Sequence, residues 1–171
     1  FITVSLNINE SKEEKTIALT NYAKKVGIEI RPPRFRYSRA EYFCDQKDGC
    51  IYKGIGSIKF MNSQIADELY ELRDEQFKDF IDVLRAVSQT SVNSRQLEIL
   101  IKLNFFEEFG EINQLLKYVS LFDLIYGKKQ FKKDKLVAMG LEEVDVRQFA
   151  TKETEKMFTG VDTYHLLKYL V

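Results

Sequence analysis

The chain has 171 residues, 44% of them hydrophobic and 30% charged, and its 26 Lys/Arg balance 26 Asp/Glu. That length and apolar content suit one domain or two small ones with a real core, and the zero net charge excludes a uniformly basic nucleic-acid binder. One His beside Cys44 and Cys50 leaves too few ligands for a four-ligand zinc site, and no apolar run approaches the roughly 18 residues of a membrane span, so a cytoplasmic location is expected.

Residues 1–8, FITVSLNI, read as a short extended segment, because Ile2, Val4 and Leu6 alternate with Phe1, Thr3 and Ser5. A chain that opens on Phe1 rather than Met reads as a piece of a longer polypeptide. Ser11-x-x-Glu14 has capping-box spacing and predicts a helix with Ala18, Tyr22 and Val26 on one stripe, stopped by Gly27. A brief strand is predicted at residues 28–30, after which Pro32-Pro33 hold the chain extended. Arg31, Arg34, Arg36 and Arg39 lie in this stiff piece, where their forked donors suit phosphate; a solubilising loop is the alternative.

Residues 42–52 predict a β-hairpin, since YFC and CIY flank the turn pair Asp48-Gly49. Its cysteines are expected to be reduced structural thiols, with a disulfide across the hairpin as the alternative. Gly54 and Gly56 bracket Ile55 and lead to a tight turn after Ile58-Lys59. Asn62 or Ser63 then caps a helix bearing Ile65, Leu69 and Leu72. Phe77, Phe80, Ile81 and Leu84 have the i, i+3, i+4, i+7 spacing of an amphipathic helix. Asn93-x-x-Gln96 opens the next helix, with Leu97, Leu100 and Ile101 inward. A second turn follows at residues 104–110, then a longer helix on Ile112, Leu115, Leu116, Val119 and Phe122, stopped near Gly127. Beyond it we expect a short helix to Gly140, an ambiguous stretch, a helix near residues 153–158 and a last one capped by Asp162. The fold class expected is mainly α with a small β-hairpin near the N-terminus, in three segments: 1–50, 51–127 and a helical extension, 128–171.

Charge is segregated along this chain. Residues 22–60 hold nine Lys/Arg against four Asp/Glu, residues 65–82 hold two against seven, and residues 128–135 hold five Lys and one Asp. Such patches suit a partner met on one face, or are simply solvated. No catalytic constellation stands out: His165 is alone, the acids between Asp67 and Asp82 read as a solvated face rather than a metal site, and there is no phosphate-binding glycine loop.

Residues 51–110 read as two copies of one device, each a helix, a tight hairpin and a second helix. Paired helix-hairpin-helix units hold duplex DNA by its backbone, because the second helix presents unpaired N–H groups and the positive end of its dipole to a phosphate oxygen. Such contacts position the protein without reading sequence. The candidate DNA contacts are the four arginines with Lys53, Lys59, Asn62, Ser63, Lys102, Asn104, Lys128 and Lys129. The turns read Phe60-Met61-Asn62 and Asn104-Phe105-Phe106, without the glycine that lets backbone approach phosphate. Inward packing of Phe60 and Met61 is expected, in a chain with 13 Phe and 9 Tyr.

The order YAKKVGIEIRPP, a hairpin, IYKGIGSIK, FKDFIDVL and VNSRQLEILIKLNFFEEFG resembles the C-family DNA polymerases, the bacterial polymerase III alpha subunits. The resemblance covers residues 22–110: Gly54, Gly56, Ile58 and Lys59 match the family's approach to its first turn, whereas Phe60, Asn62 and Asn104 stand where it has glycine. It implies the end of the fingers and the duplex-binding portion of a DNA-directed DNA polymerase, a nucleotidyltransferase whose metal-bound aspartates, with Mg, lie in a palm that this chain lacks. The chain is then inactive alone and without a cofactor of its own. Its implied partners are primer-template DNA, the rest of the polymerase chain and other replisome proteins. Two rivals stand beside this reading: a replisome interaction module docking through the acidic face and C-terminal helices, and a structural domain that has lost DNA binding with its glycines.

Overall fold

The computed structural model describes residues 1–126 together with Ala138. Among these residues there are six α-helices, two short 3-10 turns and a three-stranded sheet near the N-terminus, the mainly α arrangement expected. Two units are separable, Phe1–Leu116 and Lys117–Val171. Lys128, Lys129, His165 and the helices predicted after residue 127 lie outside the described residues.

Residues 1–8 are not extended: helix α1 runs Ile2–Ile8. The alternation misled because burial follows the i, i+4 pair Ile2 and Leu6 and leaves Val4 exposed. Helix α2 (Glu13–Lys25) also departs from expectation. Its N-cap is Lys12, so the Ser11/Glu14 capping box does not form. The inward stripe is Ala23 with half-buried Leu19, whereas Ala18, Tyr22 and Val26 face solvent. Gly27, at φ 78°, does end the helix, and Ile28 donates back to the Ala23 carbonyl at 2.9 Å.

Strand β1 (Ile30–Arg31) pairs in parallel with β3 (Cys50–Tyr52), and β2 (Phe43–Asp45) pairs antiparallel on the other side of β3. The predicted hairpin is therefore present, with Gly49 at φ 65° in its turn. Cys44 opposes Ile51 and Cys50 opposes Asp45. Both thiols are free, Cys44 exposed and Cys50 buried. Ile51 and Tyr42 join Ile2, Leu6 and Ala23 in one core cluster. Asn7 locks it by donating to the Tyr42 carbonyl and accepting from the Tyr42 N–H, at 3.1 and 2.8 Å.

After β3 the chain runs against residues 39–41 so closely that a Cβ on Gly54 would lie 2.4 Å from the Ala40 carbonyl oxygen. Next come α3 (Ser63–Glu71), α4 (Phe80–Val87), α5 (Ser94–Lys102) and α6 (Ile112–Ile125). Asn62 caps α3, Asp79 caps α4, and Asn93 with Gln96 forms the predicted capping box of α5. Phe77 precedes α4 rather than belonging to it, yet it still turns toward the core. The second core is aromatic. The arginine segment is not extended throughout: it turns at residues 35–37, where Tyr37 and Ser38 donate to the Arg34 carbonyl and Arg36 is left-handed, because Phe35 turns into the core. Phe35 contacts Phe77, Phe105, Phe106 and Phe109, and Phe80 meets Phe106 and Phe109.

Candidate nucleic-acid interface

The first turn follows a run of bends and turns, not the helix expected before it, so the first copy of the device lacks its leading helix. Its hydrogen bonds run from Ile58 to the Ile55 carbonyl at 3.1 Å and from Met61 to the Ile58 carbonyl at 2.9 Å. Phe60 takes φ 73°, in the left-handed region where glycine is at ease. Asn62 does not: at φ −147° it is extended, and its side chain accepts the Ile65 N–H at 2.9 Å. Met61 packs inward as expected. Phe60 does not; it is 45% exposed, because its neighbour's side chain takes the inward direction and the left-handed backbone turns its own outward.

Gln96 fixes this turn to the start of α5. Its Oε1 accepts the Asn93 N–H at 2.9 Å, and its Nε2 donates to the Phe60 carbonyl at 2.7 Å. One buried amide thus completes a helix cap and holds the hairpin. The same contact brings Arg95 over the Phe60 ring, 4.0 Å from its centroid, while Lys59 Nζ lies at 5.1 Å. Arg95 escaped the sequence reading because turn and helix meet across 36 residues of chain; its only sequence signal is its place beside Gln96 in the capping box.

The second turn sits at the other end of α5, about 13 Å away along a nine-residue helix. Asn104 has φ 59°, donates to the Ile101 carbonyl at 2.9 Å, and is followed by buried Phe105 and Phe106. Lys102 is exposed and pairs with Glu98 at 2.6 Å. The structure therefore gathers Lys59, Asn62 and Ser63 at one end of α5, and Lys102 with Asn104 at the other. Lys53 is placed elsewhere, beside Thr20, Ser57 and Glu13 in a groove along α2.

The four arginines already have partners within the fold. Arg31 donates to Tyr52 Oη, Glu29 and Asp48; the Tyr52 and then the Glu29 contact push its pKa up. Arg34 pairs with Glu107 at 2.9 Å. Arg36, itself at φ 73°, pairs with Glu108 and donates to the carbonyls of Arg73 and Glu75. Arg39 lies 4.0 Å from the Phe43 ring and 4.5 Å from the Tyr70 ring, and donates to Tyr70 Oη.

The acidic stretch is likewise not only a solvated face. Glu68 accepts the Ser91 N–H at 2.6 Å, the Ser91 hydroxyl and the Gln64 amide, tying α3 to the loop before α5. The Ser91 backbone contact, more than the side-chain ones, holds its carboxyl below the usual range, so this tie is fully present above that range and weakens as pH falls through the lowered value. Among the described residues no acidic cluster is suited to a metal, and no helix is long and apolar enough to cross a membrane.

Residues 27–116 match the helix-hairpin-helix motif family. The chain is 35% identical over 114 residues to DNA polymerase III subunit alpha of Campylobacter jejuni, covering 64% of this chain and 9% of that protein. It is 27% identical over 140 residues to that subunit from Treponema pallidum, with 76% and 12% covered. To the Staphylococcus aureus (strain N315) subunit it is 36% identical over 108 residues, with 61% and 10% covered. The chain thus spans about a tenth of the length of these curated relatives.

Proposed function

The chain belongs to the helix-hairpin-helix family, and from that premise we propose that it is the duplex-holding part of a bacterial replicative DNA polymerase, binding the backbone of primer-template DNA without sequence preference. One observation carries the reading: Phe60 and Asn104 take φ 73° and 59° at the two turns, so the backbone path that glycine ordinarily supplies is kept by other residues. The likeness to three polymerase III alpha subunits supports the same reading; on this proposal the parent's chemistry is nucleotidyl transfer, with Mg held in a palm outside these residues. The rest of that polymerase and other replisome proteins are then its further partners, in the cytoplasm.

In this reading the first-turn amides of α3 and α6 and the dipoles behind them meet phosphate oxygens. Ser63 and the lysines add hydrogen bonds and charge. The arginines hold the platform: with Glu107 and Glu108 engaged by Arg34 and Arg36, the arginine segment is stapled to the second turn.

The lysines give the test. Lys59→Ala and Lys102→Ala should each weaken binding to any duplex alike and reduce the slope of log affinity against log salt by about 0.9. Fluorescence anisotropy across a salt series reads both quantities. An unchanged slope in the double variant would remove the hairpins from the interface.

A further inference from the structure

The hairpins are not equivalent, and the difference lies in Phe60. Its position calls for glycine, yet carries a large aromatic residue in the left-handed region, a strain that burial does not offset because the side chain is 45% exposed. Nor is the turn loose. Gln96 holds the Phe60 carbonyl at 2.7 Å and the next side chain, Met61, is buried, so the backbone carrying the ring is fixed. Two cations flank the ring: Arg95 at 4.0 Å and Lys59 at 5.1 Å.

A phenyl ring offers nothing to a phosphate. It offers a half-exposed aromatic surface beside the Arg95 guanidinium that lies over it. In an intact duplex the base faces are already stacked on one another, so the nucleic-acid group this ring fits is the face of an unpaired base. Guanidinium and ammonium beside an aromatic platform are the usual complement to the phosphates on either side of such a base. The second turn has none of this: Asn104 occupies the left-handed position, and the Phe residues after it are buried.

We propose that the first hairpin receives an unpaired nucleotide next to the duplex, its base stacked on Phe60 and its phosphates met by Lys59 and Arg95. This rests on the reading of the hairpins as facing DNA and adds to it a preference for DNA carrying a single-stranded overhang. The second hairpin holds backbone only.

The test compares the full chain on a blunt duplex and on the same duplex extended by a single-stranded overhang containing 2-aminopurine. The overhang should raise affinity at least about fivefold, the low end of stacking one base on an aromatic side chain, and 2-aminopurine fluorescence should be quenched on binding. Phe60→Tyr should keep both effects. Phe60→Leu, which retains bulk without the π face, should lose both. Phe60→Gly should lose the overhang preference and raise the melting midpoint, since strain is relieved. Equal affinity for the two DNAs, or an overhang preference surviving in Phe60→Leu, overturns the proposal and leaves the duplex reading standing. Failure to bind either DNA overturns both.

Discussion

Phe35→Ala should lower the unfolding free energy by about 3–5 kcal/mol, the range for truncating a buried aromatic side chain. Phe35 is fully buried and its ring meets four others, at centroid distances of 5.2 to 6.2 Å. Those rings come from the segment before α4 and from the second turn, two places far apart in sequence, and each is anchored by its own backbone. The cavity left by truncation therefore collapses poorly. The Phe35 N–H also donates to the Phe105 carbonyl at 2.8 Å, so the turn loses the side chain that seats this backbone contact. Urea unfolding followed by far-ultraviolet circular dichroism reads the effect as a lower midpoint. A loss under about 1 kcal/mol would mean that the aromatic cluster is not the centre of this core.

Arg36→Ala should cost about 2–4 kcal/mol, because hydrogen bonds to a charged group are worth roughly 1.5–3 kcal/mol and its partial exposure discounts their sum. Its guanidinium bridges three places: Glu108 at 2.7 Å, the Glu75 carbonyl at 2.8 Å and the Arg73 carbonyl. It also lies over the rings of Phe35 and Phe77, at 5.1 and 5.7 Å. The side chains of the ion pair are only 23% and 28% exposed. Arg36→Lys should recover little, since an ammonium cannot reach three acceptors with a planar fork. Because the guanidinium is already engaged, the salt slope of duplex binding should not change. Normal stability with a flattened slope would instead make Arg36 a phosphate contact, as its place in the arginine segment first indicated.

What the sequence made readable was local. Asn93 and Gln96, three apart, name their own capping box; Asp48-Gly49 names its hairpin; Ile81 and Leu84 name one face of α4. Seven residues at the N-terminus are too few to separate a period of 2 from one of 3.6, so the alternation there predicts an extended segment where α1 forms. The apolar residues chosen for α2 were the right kind on the wrong face, since Leu19 and Ala23 are selected by α1 and the sheet, not by anything within the helix. The site was least readable where it depends on distant partners. Arg36 meets Glu108 across 72 residues, and nothing near Arg36 announces it. Phe60 was expected inside because aromatic residues usually are. Its exposure follows from the left-handed backbone and from Met61 taking the inward place.

The most direct measurement is the affinity of the chain for two blunt duplexes of unrelated sequence, taken from low to physiological salt. The account predicts equal binding of both, with log affinity falling linearly against log salt by about 0.9 for each phosphate neutralised. No binding at low salt, or binding that ignores salt, would contradict it.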